Sequence, residues 1–520
     1  MAFTVPKILN LPRHALILTF CGENQRVAPL ASGGRRGYLG ANRCKRGGCL
    51  VISQLAEGLT RGIEGVGDRV SGALFEPVIR LGVTGLARAG KTVFITSLVA
   101  NLMDRGRMPG LLAASEGRIS AAFLQPQPDD TLPRFDFEHH LAALTATEPH
   151  WPESTRAVSE LRLSLRVRPT GLLAGVTGPR TVHLDIVDYP GEWLLDLALL
   201  DKSYDAWSAE VLARLAKRPE AAAYLAALGG VDPAAPLQEP VAQGLAQGFT
   251  AYLHAARKAG FYDCTPGRFL LPGELAGSPV VTFAPLPEGP AGTRKSLRSE
   301  MARRYDAYKR EVVRPFFRDH FARIDRQVVL VDALDAIHKG PQAVEDMRRA
   351  MAEILATFRP GRNAFLTRLL IGKRVEKILF AATKADHLHH NQHPQLTAIM
   401  AALTREARDR ADFVGADTEA MAIAALRATV EEQLSHEGRD LDCVRGRLLE
   451  TGKQAVLYPG ALPQDPGALL SASRSGATRW LDGEYNVMRF APARLNLRPG
   501  EGPPHIRLDR AAEFLLGDRL

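Results

Sequence analysis

Two glycines five residues apart, then a lysine and a hydroxyl, stand in the run GLARAGKT, Gly85 to Thr92. The run matches G-x-x-x-x-G-K-[ST], a spacing suited to holding a phosphate. The glycines let the backbone curl until successive N–H groups point at one anion. Lys91 would add a positive charge across the β- and γ-phosphates, and Thr92 would place its hydroxyl on Mg²⁺. A helix N-terminus favours the anion further. The flanks agree with this chemistry. Apolar PVIRLGVT reads as a strand before the loop, and a helix is predicted from Lys91 to about Met103 after it.

Such a loop needs an acidic residue to hold the magnesium. Two strand-end aspartates compete. Asp188 closes TVHLDIVD and begins D-x-x-G with Gly191, whereas Asp332 closes QVVLV. In D-x-x-G the glycine N–H can meet the γ-phosphate, and its loop can change shape when that phosphate leaves. This favours Asp188 as the metal residue with Thr92, and leaves Asp332 structural.

TKAD, Thr383 to Asp386, follows the apolar strand KILFAA. In this position an aspartate can accept two hydrogen bonds from guanine, N1–H and the 2-amine, which adenine does not offer. The stem of Lys384 can pack along a base. Four letters are a weak signal alone. Their order after the phosphate loop and D-x-x-G favours guanine, with adenine kept as the alternative. AALRA near Arg427 occupies the place of a last base loop but matches poorly. In DHLHHNQH, four of the fourteen histidines (His387, His389, His390 and His393) crowd together. The favoured reading is a polar loop beside the base. The alternative is a metal site using His389 and His393 at i, i+4.

Further strands are expected at 161–169, 181–191, 327–334, 375–386 and 421–428, the first two as a hairpin. An amphipathic helix is predicted over about 52–76 and helices over about 194–325. A final helix is predicted in RLDRAAEFLLGDRL. Strands alternating with helices argue for an α/β fold with a largely parallel sheet covered on both faces. A block as long as 194–325 is too long for a loop and is expected to be an inserted domain.

The chain has 520 residues, enough for several domains, and a net charge of +9. Eight basic residues against Glu23 alone place seven of those charges in residues 1–50, so the body is nearly neutral. That balance argues against nucleic acid as a partner. The first fifty residues read as a disordered basic extension, or as an overlong start, in preference to a thiol pair at Cys44 and Cys49. Cys264 and Cys443 fit a reduced cytoplasmic protein. The early apolar run ALILTF is too short for a membrane span or a signal peptide.

RLGVTGLARAGKTVFITSLVANLM, DYPGEW, ATKADH and PHIRLDRAAEFLLGDRL together resemble the YcjX-like family of bacterial stress-associated P-loop proteins, over about residues 53–520. The resemblance implies a Ras-like three-layer P-loop domain, 53–193 and 326–440. It also implies a helical domain, 194–325 with part of 105–160, and a small β-containing C-terminal domain, 441–520. Gly85, Ala87, Arg88, Ala89, Gly90, Lys91 and Thr92 then form the phosphate loop. Asp188 and Gly191 form the switch pair, and Thr383, Lys384 and Asp386 read the base. It implies GTP and GDP as ligands, and a membrane-protein partner that would hold a cytoplasmic protein at the inner membrane. Glu192 stands where small GTPases often carry a water-orienting glutamine. It could act as a base, but its charge would repel the γ-phosphate, so hydrolysis is expected to be slow or assisted. Thr131 is the best switch-I candidate, and an arginine of the helical region could act in cis. The expected function is a Mg²⁺-dependent GTP-hydrolysing switch. The rivals are an ATPase or phosphotransferase, and a non-catalytic nucleotide-dependent scaffold.

Overall fold

The computed structural model describes residues 76–86, 88–153, 157–170, 178–289, 295–356, 375–413, 415–475 and 485–520, and the backbone alone at 17–19 and 353–356. Among these residues the strands are β1 (Ile17–Thr19), β2 (Val78–Gly85), β3 (Ile119–Gln125), β4 (Ser159–Val167), β5 (Arg180–Asp188) and β6 (Arg326–Val331). The remainder are β7 (Lys377–Ala382), β8 (Asp417–Ala422), β9 (Thr429–His436), β10 (Arg439–Arg447) and β11 (Gln454–Leu457). Seven of them join in the order β3-β4-β5-β2-β6-β7-β8. The five strands from β5 to β8 run parallel, and β3 and β4 add antiparallel at one edge.

The strand sequences account for this placement. In RQVVLV every residue of β6 is buried, as expected for a central strand covered on both sides. Alternation divides the side chains between two cores. Val328, Leu330, Leu379 and Ala381 pack with Leu81 and Val83 against helix α1 (Lys91–Met103), through Phe94 and Leu98. Val329, Val331, Ile378 and Phe380 pack on the opposite face against Ala336, Met347 and Leu396.

Between β5 and β6 lies a helical region. Its main helices are α2 (Tyr204–Leu215), α3 (Glu239–Ala259) and α4 (Leu297–Tyr308). Pro240 opens α3, and Gly260, at φ 104°, closes it in the left-handed conformation that glycine adopts at low cost. The region centres on Trp207, which stacks on Tyr305 at 5.1 Å and meets Phe249 and Phe283 edge-on. These rings share one continuous core with Val329 and Phe380 of the sheet.

A second, antiparallel sheet runs β1-β11-β10-β9. Its β9–β10 turn is Glu437-Gly438, both at positive φ, the conformation favoured by a two-residue hairpin. This sheet spans the expected boundary at 440–441. The last helix, α5 (Leu508–Leu516), packs on the main sheet through Leu508, Ala512 and Leu515. Buried Arg326 fixes that helix by donating to the Leu515 carbonyl at 3.0 Å and to Asp518 at 2.8 Å.

Several expectations need adjusting. Ile17–Thr19, in the extension expected to lack structure, pairs with β11; an apolar run with a β-branched residue can extend a sheet edge. The predicted helix over 52–76 lies almost wholly outside the described residues, as do Cys44 and Cys49. The strand expected at 421–428 runs instead over Asp417–Ala422, because Ala424 leaves the sheet to pair with Ile506. Cys264 and Cys443 are free and buried. No helix among the described residues is long and apolar enough to cross a membrane.

One buried carboxylate ties the start of the helical region to its later segments. Asp196 accepts from Gly267 N–H at 2.7 Å, Arg268 N–H at 3.3 Å and the Tyr308 hydroxyl at 2.5 Å. Burial pushes its carboxyl up to about 6 against those bonds. A raised acid pKa means the folded state holds a proton that the unfolded chain has released. The stability it contributes is full below about 3.8 and is lost as pH rises through about 6. Urea titrations should show that component in the parent protein and not in Asp196→Asn. Asp196→Ala, which strands three donors, should cost on the order of 3 kcal/mol.

Candidate active site

The carboxyl ends of β2, β5, β6 and β7 open on one edge of the sheet, where α/β folds bind ligands. The phosphate-type loop leaves β2 at this edge. Leu86 N–H reaches the Leu330 carbonyl at 3.3 Å, which holds the loop's start against β6. Gly85 admits no side chain, since a Cβ there would stand 2.9 Å from that carbonyl. Gly90 has φ 80°, and nothing lies within 4 Å of where its Cβ would be. The loop thus curls around open space at the start of a 13-residue helix.

That helix begins with no side-chain cap and no acidic residue in its first turn. Its N-terminal donors, uncapped by any side chain, and Lys91 stand where the loop ends, so the residues present fit a phosphate group. Thr92 and Asp188, both buried, supply the hydroxyl and carboxylate oxygens that Mg²⁺ prefers. Asp188 pairs in register with Val83 of β2. Ala89 is buried beneath the loop, whereas Arg88 is exposed at φ 65°. Ala87 lies outside the described residues. The charge of Arg88 is felt at Tyr262 of the helical region. Burial pushes that phenol up, Asp335 and Asp332 add to the rise, and Arg88 opposes it.

Gly191 meets the loop directly. A Cβ on it would lie 2.3 Å from the Gly85 carbonyl oxygen, so D-x-x-G and the loop approach to within the thickness of a hydrogen. The next residue, Glu192, is buried and ion-paired with Arg257 of α3 at 2.6 Å. Gly267 packs on the Glu192 carbonyl, where a Cβ would stand at 2.2 Å. Arg268 covers the Trp193 ring. The helical region therefore touches both residues that follow Gly191.

TKAD forms the other end. Thr383 N–H and Oγ1 both donate to the Val331 carbonyl, at 2.9 and 3.3 Å. Lys384 takes a left-handed φ of 61°, and its ammonium pairs with Asp332. Asp332 also accepts from Asp335 N–H at 3.1 Å, capping the following helix, so it anchors the TKAD loop. Asp386 is buried and accepts from the Ala428 backbone N–H at 2.8 Å, while Thr429 Oγ1 donates to the Asp386 carbonyl. AALRA, a poor match by sequence, thus packs on the base loop through its backbone. His387 is buried beside the Phe490 ring, and burial drives its imidazole down to about 4.

Other sequence candidates fall elsewhere. Thr131 is exposed and donates to Asp129 at 2.5 Å. His393 turns inward to the Ala385 carbonyl at 2.8 Å, so it does not pair with His389. Sequence reasoning missed Arg257, Gly267 and Ala428. An arginine of the helical region was expected in cis without its position, and the charge of Glu192, which requires a cation when buried, pointed to where it would lie.

A parallel sheet with a glycine-rich loop and lysine at the end of β2, D-x-x-G on the neighbouring strand and T-K-x-D beyond defines a Ras-like P-loop α/β protein. Residues 79–520 match the YcjX-like family, DUF463. The chain is 38% identical over 456 residues to a "Ras-like GTPase YcjX" of Escherichia coli (strain K12), covering 85% of this chain and 96% of that protein. It is 36% identical over 468 residues to a "Ras-like GTPase YcjX" of Shewanella oneidensis (strain MR-1), covering 85% and 94%. This chain belongs to the YcjX-like family.

The contact between Gly191 and Gly85 generates a prediction. Gly191→Ala must displace one of two backbones, since no side chain can yield. It should destabilise the protein by about 1–3 kcal/mol or more, read as a lowered thermal midpoint. Ala89→Gly, which needs no such displacement, should change it less.

Proposed function

We propose that this chain binds GTP and GDP and hydrolyses GTP to GDP with Mg²⁺, as a switch that relays the state of its nucleotide to the helical region. The observation that carries the reading is the order along one sheet edge. The open loop at Gly90, the Gly191 contact and the buried Asp386 stand in turn at the ends of β2, β5 and β7. The printed names of the two relatives support guanine as the base.

In this reading Gly85, Ala87, Arg88, Ala89, Gly90, Lys91 and Thr92 surround the phosphates. Thr92 and Asp188 would hold Mg²⁺, which supplies charge neutralisation on the phosphate oxygens. Thr383, Lys384 and Asp386 read the base, the Ala428 N–H orienting the Asp386 carboxylate. Gly191 lies against the loop and would sense the γ-phosphate. Glu192 holds or orients the attacking water, and its pairing with Arg257 offsets the repulsion its charge would otherwise exert. We further propose that the segment 194–325 acts as the responding domain. Arg257 and Gly267 link it to Glu192, the residue after D-x-x-G. A stress-associated role, in a cytoplasmic protein held by a membrane-protein partner at the inner membrane, accompanies this proposal.

Calorimetry of the nucleotide-free protein tests the base. GDP should bind at least roughly tenfold tighter than ADP, and Asp386→Asn should move preference toward xanthosine diphosphate. Equal or tighter ADP binding would make the site an adenine site. Single-turnover assays test the arginine. Arg257→Ala should slow GTP hydrolysis about tenfold while leaving GDP affinity within about twofold. Equal losses in both would make Arg257 only a structural contact.

A further inference from the structure

The histidine-rich run after the base loop meets a carboxylate on β9. His390 Nδ1 lies 2.6 Å from Glu431 Oε2, and His389 Nε2 lies 3.7 Å from the same oxygen. The other oxygen, Oε1, faces Arg427 at 3.3 Å. One ligand atom from each of His389, His390 and Glu431 falls within 4.8 Å of the others. Glu431 therefore turns one oxygen to its cation and the other to two imidazoles.

His389 is the unusual member. It is only 5% exposed, and its Nδ1 has no hydrogen-bond partner. That nitrogen faces Asp442 Oδ2 at 3.9 Å. Asp442 is held in place by Asn391 at 3.0 Å and Gln433 at 2.9 Å. Burying an imidazole with an unsatisfied nitrogen is costly unless something completes it. A metal on Nε2 would do so, because it fixes the tautomer with the proton on Nδ1, directed at Asp442. A carboxylate behind a metal-bound histidine is the usual outer-shell arrangement.

We propose that His389, His390 and Glu431 bind one Zn²⁺, with Asp442 as the outer-shell acceptor for His389. Two imidazoles and one carboxylate suit zinc, whereas magnesium and calcium prefer all-oxygen shells. With bonds of about 2.0–2.2 Å, tetrahedral ligands stand roughly 3.3 Å apart, so small rotamer adjustments close the shell around the ion and a water. The position gives the ion a role. It would join the loop that continues TKAD to β9, whose first residue, Thr429, and its neighbour Ala428 hold Asp386. The site is separate from Thr92 and Asp188 and does not depend on the nucleotide reading.

The test uses the full chain, stripped of metal by chelation and free of nucleotide, in buffer containing Mg²⁺. Zn²⁺ titrated against a chromophoric chelator should bind at one equivalent. Co²⁺ should give the visible absorption of a low-coordinate nitrogen and oxygen site. His390→Ala, at an exposed position, and Glu431→Gln should each weaken binding at least tenfold with unchanged circular dichroism. Asp442→Asn should weaken it less. Absence of stoichiometric binding overturns the proposal. So does an affinity that survives His390→Ala and Glu431→Gln but is lost on replacing Cys44 and Cys49, which would place the ion in the extension.

Discussion

Parallel pairing of β2 with both β5 and β6 is the constraint on which the rest of the structure depends. Parallel strands cannot be joined by a tight turn, so the connection from β5 to β6 must leave the carboxyl edge and return across a face. The crossover from β5 to β6 takes residues 189–325, and it begins with D-x-x-G. The helical region is therefore attached at the switch segment. It then shares a core with the sheet face carrying Val329 and Phe380, so the two cannot move apart without opening apolar surface.

The contact of the helical region with the segment after D-x-x-G is charged: Arg257 reaches Glu192 from α3. A buried ion pair adds little net stability, but removing one partner is costly, because the remaining charge stays buried. Glu192 next to a phosphate would suffer that penalty in full. The arginine resolves the conflict locally, and it does so from the helical region. In the proposed function the state of the site and the position of α3 would be coupled through this one contact. This gives physical content to the relay in the proposed function.

The sheet was largely legible because its strands are short apolar runs ending in acidic or glycine residues. PVIRLGVT, TVHLDIVD, QVVLV and KILFAA were each placed within a few residues. The loop was legible because its spacing is local. What was not legible joins distant residues through backbone atoms. Ala428 N–H on Asp386 uses no side chain, so AALRA carried no letter to recognise. Gly267 on Glu192 is a packing requirement 75 positions away, invisible to any window. The histidines misled for a related reason. Spacing suggested His389 with His393, but the helix starts only at His393, and that ring turns inward to Ala385. The real neighbour of His389 is its adjacent residue, with Glu431 supplied by another strand.

The two ends of the site are built on different supports. The phosphate end leans on the helical region through Arg257, Gly267 and the surroundings of Tyr262. The base end leans on the antiparallel sheet, through Ala428, Thr429 and the Phe490 ring beside His387. At the TKAD end the contacts with the antiparallel sheet are hydrogen bonds and apolar packing, while Lys384 pairs with Asp332 at the end of β6. The phosphate-end contacts are an ion pair and a glycine-on-carbonyl approach. Loss of a γ-phosphate would change the field at Glu192 and leave Asp386 where it is. In the proposed function this asymmetry would suit a protein that retains its nucleotide while changing shape, with the grip on the base and the response to the phosphate falling to separate parts of the chain.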